Sequence, residues 1–265
     1  MVLRIERPSP GVVTVTLSRP GALNALDADV VDALYDTFDT LERTPADRVV
    51  ILTGQGRGFC AGQDIKDFGA GLPAIGDGEA ALLAFQQRMS RLVVRLRELP
   101  QPVIAAVNGV AVGAGMALAC AADIRLASPE ARFGTGAVRL GLSGCEMGLS
   151  YHLPRLVGMS AAAEWMLTGR LVDAAEATRT GLVSRVVDSI ELLGAAHELA
   201  SAIVANAPFG VRMTKQVMWR NVAAPSLLAA VEVEDSTQVA AVMTSDAGEA
   251  RAALLERRPA RFSDS

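Results

Sequence analysis

The run Pro102-Val103-Ile104-Ala105-Ala106-Val107-Asn108-Gly109-Val110-Ala111-Val112-Gly113-Ala114-Gly115-Met116-Ala117-Leu118-Ala119-Cys120-Ala121-Ala122 holds 21 residues without a charge, and its reading decides the fold. Its length meets the crude requirement for a membrane-spanning helix. Its content argues otherwise, because Asn108-Gly109 interrupts it in the middle and Gly113 and Gly115 follow soon after. A buried strand over Val103 to Val107, a glycine turn and a short buried helix ending before Asp123 account for it better. Strand, loop and helix in succession imply α/β layering.

Working outward, Leu3 to Arg7 and Val12 to Leu17 read as two strands joined by the turn residues Pro8-Ser9-Pro10-Gly11, a hairpin. Asp27 can cap a helix whose apolar residues Val30, Val31, Leu34, Phe38 and Leu41 recur at helical spacing. Val49 to Thr53 is then a short buried strand. Gly54 to Lys66 is punctuated by glycine, and Gly69 to Gly78 reads as a mobile surface loop. A long helix is expected from Glu79 to Leu99. Past Ser150 helical patterns dominate, interrupted by a strand at Leu182 to Val187 and by Pro208 and Pro225. The chain thus divides into a core over residues 1–200 and a helical extension over 201–265, docked on the core rather than independent of it.

With 265 residues, 51% of them hydrophobic, and a net charge of −4, the chain can bury one large core and reads as a soluble globular protein. The acidic balance and few aromatic residues argue against nucleic acid as a partner. Cys60, Cys120 and Cys145 are odd in number and widely spaced, which suits reduced thiols. Met1 to Gly11 lacks the apolar core of a signal peptide, so a cytoplasmic location is expected. Only His152 and His197 are present, and neither joins Cys or Glu at metal-ligand spacing, so no metal is expected.

Three segments could carry chemistry. Gly141-Leu142-Ser143-Gly144-Cys145 comes near a nucleophile elbow but has Cys in place of the final glycine, and reads as a turn. Val110 to Gly115 approaches a dinucleotide fingerprint, yet Leu118 stands at the third glycine position and the only acidic residue nearby, Asp123, follows too soon. There remain two glycine-flanked backbone positions, Gln63 between Gly62 and Asp64, and Ala114 between Gly113 and Gly115. Such loops let a ligand approach the main chain, and a pair of N–H groups at helix starts could stabilise a developing oxyanion. Spacing alone accounts for these glycines equally well as turn residues.

The motifs taken together go further. Arg19-Pro20 with Ala22-Leu23-Asn24-Ala25-Leu26, then Gly58-Phe59-Cys60-Ala61-Gly62-Gln63-Asp64-Ile65, then Asn108 to Gly115, in this order and spacing, resemble the crotonase (enoyl-CoA hydratase/isomerase) superfamily. The likeness extends to Leu153-Pro154-Arg155, Leu167-Thr168-Gly169-Arg170, Ala177 to Val183 and Arg257-Arg258-Pro259, covering nearly the whole chain.

This resemblance implies an α/β fold, a crotonase-like spiral of ββα units with a C-terminal helical extension that packs subunits as trimers or hexamers. It implies an acyl-CoA substrate, with coenzyme A part of that substrate and no separate cofactor. It places oxyanion-binding N–H groups at Gln63 and Ala114, and a coenzyme A channel along Ala22, Leu23, Ala61, Gln63, Asp64 and Ile65. The two glutamates with which hydratases of the family activate water match Ala117 and Ala137 here, and alanine can neither abstract a proton nor orient water. Glu146 coincides with the single catalytic aspartate of the family's dienoyl-CoA isomerases, ring-epoxide isomerases and a dehalogenase, so this chain carries glutamate at that position. The expected activity is therefore a double-bond shift through an enolate with Glu146 as the only base. Hydration of a fatty or aromatic enoyl-CoA is the alternative, and a non-catalytic coenzyme A-binding protein is a third. Burial among apolar neighbours is expected to raise the Glu146 pKa. A structural role is expected for Asp64.

Overall fold

The computed structural model describes residues 1–64 and 78–264. Ile65, and the expected loop from Gly69 up to Gly78, lie outside the described residues.

The expected hairpin is present as β1 (Leu3–Ser9) and β2 (Val12–Leu17), paired antiparallel. β1 is an edge, largely exposed and studded with Arg4, Glu6 and Arg7, charges that discourage pairing with another sheet. The strands inside that edge are buried along their whole length: β2, β3 (Val49–Gly54) and β5 (Val103–Val107), joined in parallel register. Burial on both faces explains why they read as unbroken apolar runs rather than alternating ones. β7 (Ile124–Ala127) and β10 (Arg185–Val186) complete a six-stranded sheet of order β1-β2-β3-β5-β7-β10. The strand expected over Leu182 to Val187 is thus only two residues long; Leu182 and Val183 are buried turn residues instead.

Three strands of the large sheet are each followed by a short one that crosses to a second sheet. β4 (Gly58–Cys60) follows β3, β6 (Val110–Val112) follows β5, and β8 (Arg132–Gly134) follows β7. These three run parallel to one another, and β9 (Val172–Asp173) closes the sheet in the order β4-β6-β8-β9. The chain therefore winds as a spiral in which every turn adds one rung to each sheet.

Helices fill the spaces between turns. In α1 (Ala28–Glu42) the expected apolar residues Val30, Val31, Leu34, Phe38 and Leu41 are buried, and the Asp27 carboxylate accepts from the Val30 N–H at 2.9 Å. Such a cap is worth about 1 kcal/mol. α2 (Glu79–Glu98) buries only Met89, Leu92, Val93 and Leu96, one stripe of a surface helix. α3 (Ala114–Ala121) is buried all round, and its small residues let it press on β4. A Cβ on Gly115 would lie 2.0 Å from the Cys60 carbonyl oxygen, so only glycine fits there. The uncharged run from Pro102 to Ala122 is thus strand, turn, strand and helix at the centre of the protein. Among the described residues no helix is long and apolar enough to cross a membrane.

The remaining helices are α4 (Leu149–Val157), α5 (Met159–Thr168), α6 (Ala174–Arg179), α7 (Leu192–Val204), α8 (Pro208–Asn221), α9 (Leu227–Val242) and α10 (Ser245–Glu256). α7 covers the outer face of the large sheet, packing Leu192, Ala196 and Ala200 on Val12, Val49, Ile51, Ile104 and Leu126. α8 docks on the core through Lys215, whose ammonium pairs with Asp123 at 2.9 Å and donates to the Gln101 carbonyl at 2.8 Å. α9 buries no residue at all.

Candidate active site

The stacked turns bring the two glycine-flanked positions side by side. Gly62 (φ +99°) ends the segment after β4 and Gly113 (φ +55°) ends β6, both in backbone conformations that favour glycine. A Cβ on Gly62 would lie 2.9 Å from the Val112 carbonyl oxygen and 3.7 Å from the Ala114 nitrogen. The Ala61–Gln63 segment and the start of α3 are therefore in contact through their backbones.

The direction of each N–H follows from its neighbours. Leu26 bridges to Gln63 in parallel fashion, its N–H donating to the Gly62 carbonyl at 2.8 Å and its carbonyl accepting from the Asp64 N–H at 2.9 Å. In an extended segment alternate N–H groups point to opposite sides, so the Gln63 N–H points away from Leu26. Ala114 is the first residue of α3, whose initial N–H groups have no intrahelical partner and sit at the positive end of the dipole. The opposite end of that helix is met by Arg125, which donates to the Ala122 carbonyl at 2.6 Å and to the Leu182 carbonyl at 2.7 Å. Gln63 is not itself at a helix start among the described residues. Its side-chain amide nitrogen is buried without a partner there.

Glu146 completes the cluster. A Cβ on Gly113 would lie 3.3 Å from Glu146 Oε1, which sets the carboxylate beside the Gly113–Ala114 peptide. Burial alone pushes this carboxyl up to about 7. It precedes two left-handed residues, Met147 (φ +44°) and Gly148 (φ +79°), that turn the chain into α4. Ala117 lies one turn along α3 from Ala114 and is fully buried; Ala137 is nearly so. Neither presents a polar group.

Of the segment expected to line a channel, Ala22, Leu23, Ala61 and Asp64 are all half-buried, and the Ala61 N–H donates to the Leu23 carbonyl at 3.0 Å. Asp64 accepts from Arg19 Nη2 at 3.1 Å, and the same guanidinium pairs with Asp27 at 2.9 Å and donates to the Ala25 carbonyl at 2.7 Å. That is the structural role expected of Asp64. Asn24, 1% exposed, accepts from the Arg19 N–H and donates to the Gln55 and Gly58 carbonyls, fastening this segment to β4. The sequence shows Arg19 and Asn24 only as motif residues, because their partners lie up to 45 positions away. The buried Thr135 hydroxyl has no partner among the described residues.

Other nucleophiles are poor. Burial pushes Cys60 up to about 12 and Cys120 up to about 11, which leaves both as inert thiols. Ser143 accepts from the Cys145 N–H in an exposed turn. No group of three His, Cys, Asp or Glu among the described residues could hold a metal ion.

A family model described as enoyl-CoA hydratase/isomerase matches residues 7–265. The chain belongs to that family. It is 40% identical over 263 residues to a Mycobacterium bovis protein named probable enoyl-CoA hydratase echA12, covering 98% of this chain and 92% of that one. It is 34% identical over 252 residues to the 1,2-epoxyphenylacetyl-CoA isomerase of Escherichia coli, covering 95% of each. The crystal structure of an enoyl-CoA hydratase from Bacillus anthracis superposes with a TM-score of 0.94 at 31% identity, over the full length of both chains. The fold is that of the crotonase superfamily, and the protein is a crotonase-type enzyme.

Proposed function

We propose that this enzyme shifts a double bond in an acyl-CoA through an enolate, with Glu146 as the sole acid–base group. The observation that carries the reading is the Glu146 carboxyl, with a pKa raised to about 7 and set against Gly113, while Ala117 and Ala137 supply no carboxylate. In this reading the Gln63 and Ala114 N–H groups bind the thioester oxygen, more strongly as it gains charge. One such donor contributes about 2.7 to 4 kcal/mol in the transition state. Glu146 takes the proton from one carbon and returns it to another, so a single base suffices. Ala22, Leu23, Ala61, Asp64 and Ile65 would line the coenzyme A channel, and the helices of residues 201–265 would join subunits as trimers or hexamers.

Hydration is the second reading, favoured by the names of the relatives, with Glu146 acting on water. The isomerase name of the Escherichia coli relative favours the first. A panel of acyl-CoA thioesters with 2,3 and 3,4 unsaturation, followed for both isomer and hydroxyacyl product, separates them. Interconversion of the two enoyl isomers without hydroxyacyl product, lost by on the order of 10²-fold or more in Glu146→Gln, is the expected outcome. Accumulation of hydroxyacyl-CoA as the main product would replace the first reading by the second. Undiminished turnover in Glu146→Gln would overturn both.

A further inference from the structure

A cluster outside this site lies beneath the turn that carries Glu146. Arg97 on α2 stacks on the Trp219 ring of α8, its Cζ 3.2 Å from the centroid, and its Nη2 donates to His152 Nδ1 on α4 at 3.0 Å. A guanidinium offers only donors, so Nδ1 is the acceptor and the imidazole is neutral. Burial, then the charges of Arg97, Arg125 and Arg155, push the imidazole down to about 4. The ring keeps its acceptor throughout the neutral range. Trp219 is fixed in turn, its Nε1 donating at 2.7 Å to Asp123, which also accepts from the Val103 N–H of the large sheet.

The other end of this chain of contacts is the Glu146 turn. A Cβ on Gly148 would lie 3.5 Å from His152 Cδ2 and 3.7 Å from its Nε2, so the ring sits directly against that residue. The His152 N–H donates to the Gly148 carbonyl at 2.9 Å. Met147, only 5% exposed, adopts a left-handed conformation that disfavours any residue with a Cβ. Such a turn persists only where its surroundings dictate it.

We propose that Arg97 and His152 are positioning residues for the acid–base step, the neutral imidazole holding the Met147–Gly148 turn so that Glu146 stays against Gly113. The proposal rests on the reading of Glu146 as the base. Its test is the pH profile of kcat and kcat/KM for the parent, His152→Leu, His152→Asn and Glu146→Gln on an acyl-CoA that the parent turns over, with coenzyme A affinity measured by calorimetry. His152→Asn keeps an acceptor where Nδ1 stands, and His152→Leu removes it. His152→Leu is expected to lose kcat by on the order of 10²-fold, the loss that a misplacement of about 1 Å produces, while coenzyme A affinity holds. Its acid limb should move from about 7 toward the ordinary carboxylate range, because burial is what holds Glu146 up. His152→Asn should restore both rate and limb.

Parent-like kcat and limb in His152→Leu, with Glu146→Gln inactive, would overturn the positioning role and leave the base in place. Equal losses in the Leu and Asn variants would also overturn it. Parent-like turnover in Glu146→Gln would remove the base reading and this proposal together. If His152→Leu does not fold, Arg97→Lys, which loses the flat stack on Trp219, carries the same expectation, and an unshifted profile there overturns the proposal.

Discussion

A carboxyl group whose pKa stands near 7 has two consequences that can be measured separately. In the proposed role of base Glu146 must be ionised, so kcat/KM should rise with pH through about 7 and then level off. For stability the sign is opposite. The folded pKa lies above the unfolded value of 4.5, so the folded state binds the proton more tightly, and stability is lost as pH climbs from about 4.5 to about 7. Glu146→Gln should therefore exceed the parent in stability at pH 8 by roughly 1 to 2 kcal/mol, after allowance for residual solvent contact, and match it near pH 4. Urea unfolding at the two pH values checks this. The neighbouring glycine offers a second test. In Gly113→Ala the new Cβ would meet Glu146 Oε1 at 3.3 Å in a conformation (φ +55°, ψ −119°) that alanine rarely adopts, so the Ala114 N–H must move. Removal of one oxyanion donor costs about 10²-fold or more in kcat, and steady-state kinetics on the preferred acyl-CoA should show it.

At the scale of elements, α8 is tied to the core by a buried ion pair, with the Lys215 and Asp123 side chains only 5% and 7% exposed. Lys215→Met should cost about 3 to 5 kcal/mol, because it leaves Asp123 buried without its cation; chemical denaturation measures the loss. Which elements the sequence discloses has a physical basis. β2, β3 and β5 are buried on both faces and so appear as apolar runs, and α1 shows both its stripe and its Asp27 cap. β7, β8 and β9 are only two to four residues long and include Arg125 and Arg132. Those charges are met by backbone carbonyls, as at Leu182 and Pro129, partners no local pattern reveals. The glycine-flanked loops at Gln63 and Ala114 are legible only through the family motifs, since their glycines alone read equally well as turn residues. The Arg97–His152–Trp219 cluster is not legible, since its members lie on three helices far apart in sequence and its polar groups look ordinary one at a time.

For the whole molecule, α9 and α10 leave Leu227, Leu228, Val239, Val242, Met243, Leu254 and Leu255 exposed. The proposed subunit contact would cover these side chains. Light scattering should report a trimer or a hexamer, and Leu254→Asp with Leu255→Asp should yield smaller species. The spiral has one more consequence. The two loops proposed to bind the carbonyl follow successive rungs of one parallel ladder, β4 beside β6, so their spacing is inherited with the sheet, about 4.8 Å between strands. Position 117 lies one turn further along the helix that Ala114 begins, position 137 opens a short 3-10 turn, and position 146 stands in the turn before α4. In the proposed roles, binding falls to backbone groups and reaction to side chains at separate positions. On those proposed roles, a few codon changes would exchange one chemistry for another while the backbone groups proposed to bind the thioester stay in place. A library confined to those three positions would sample that exchange directly.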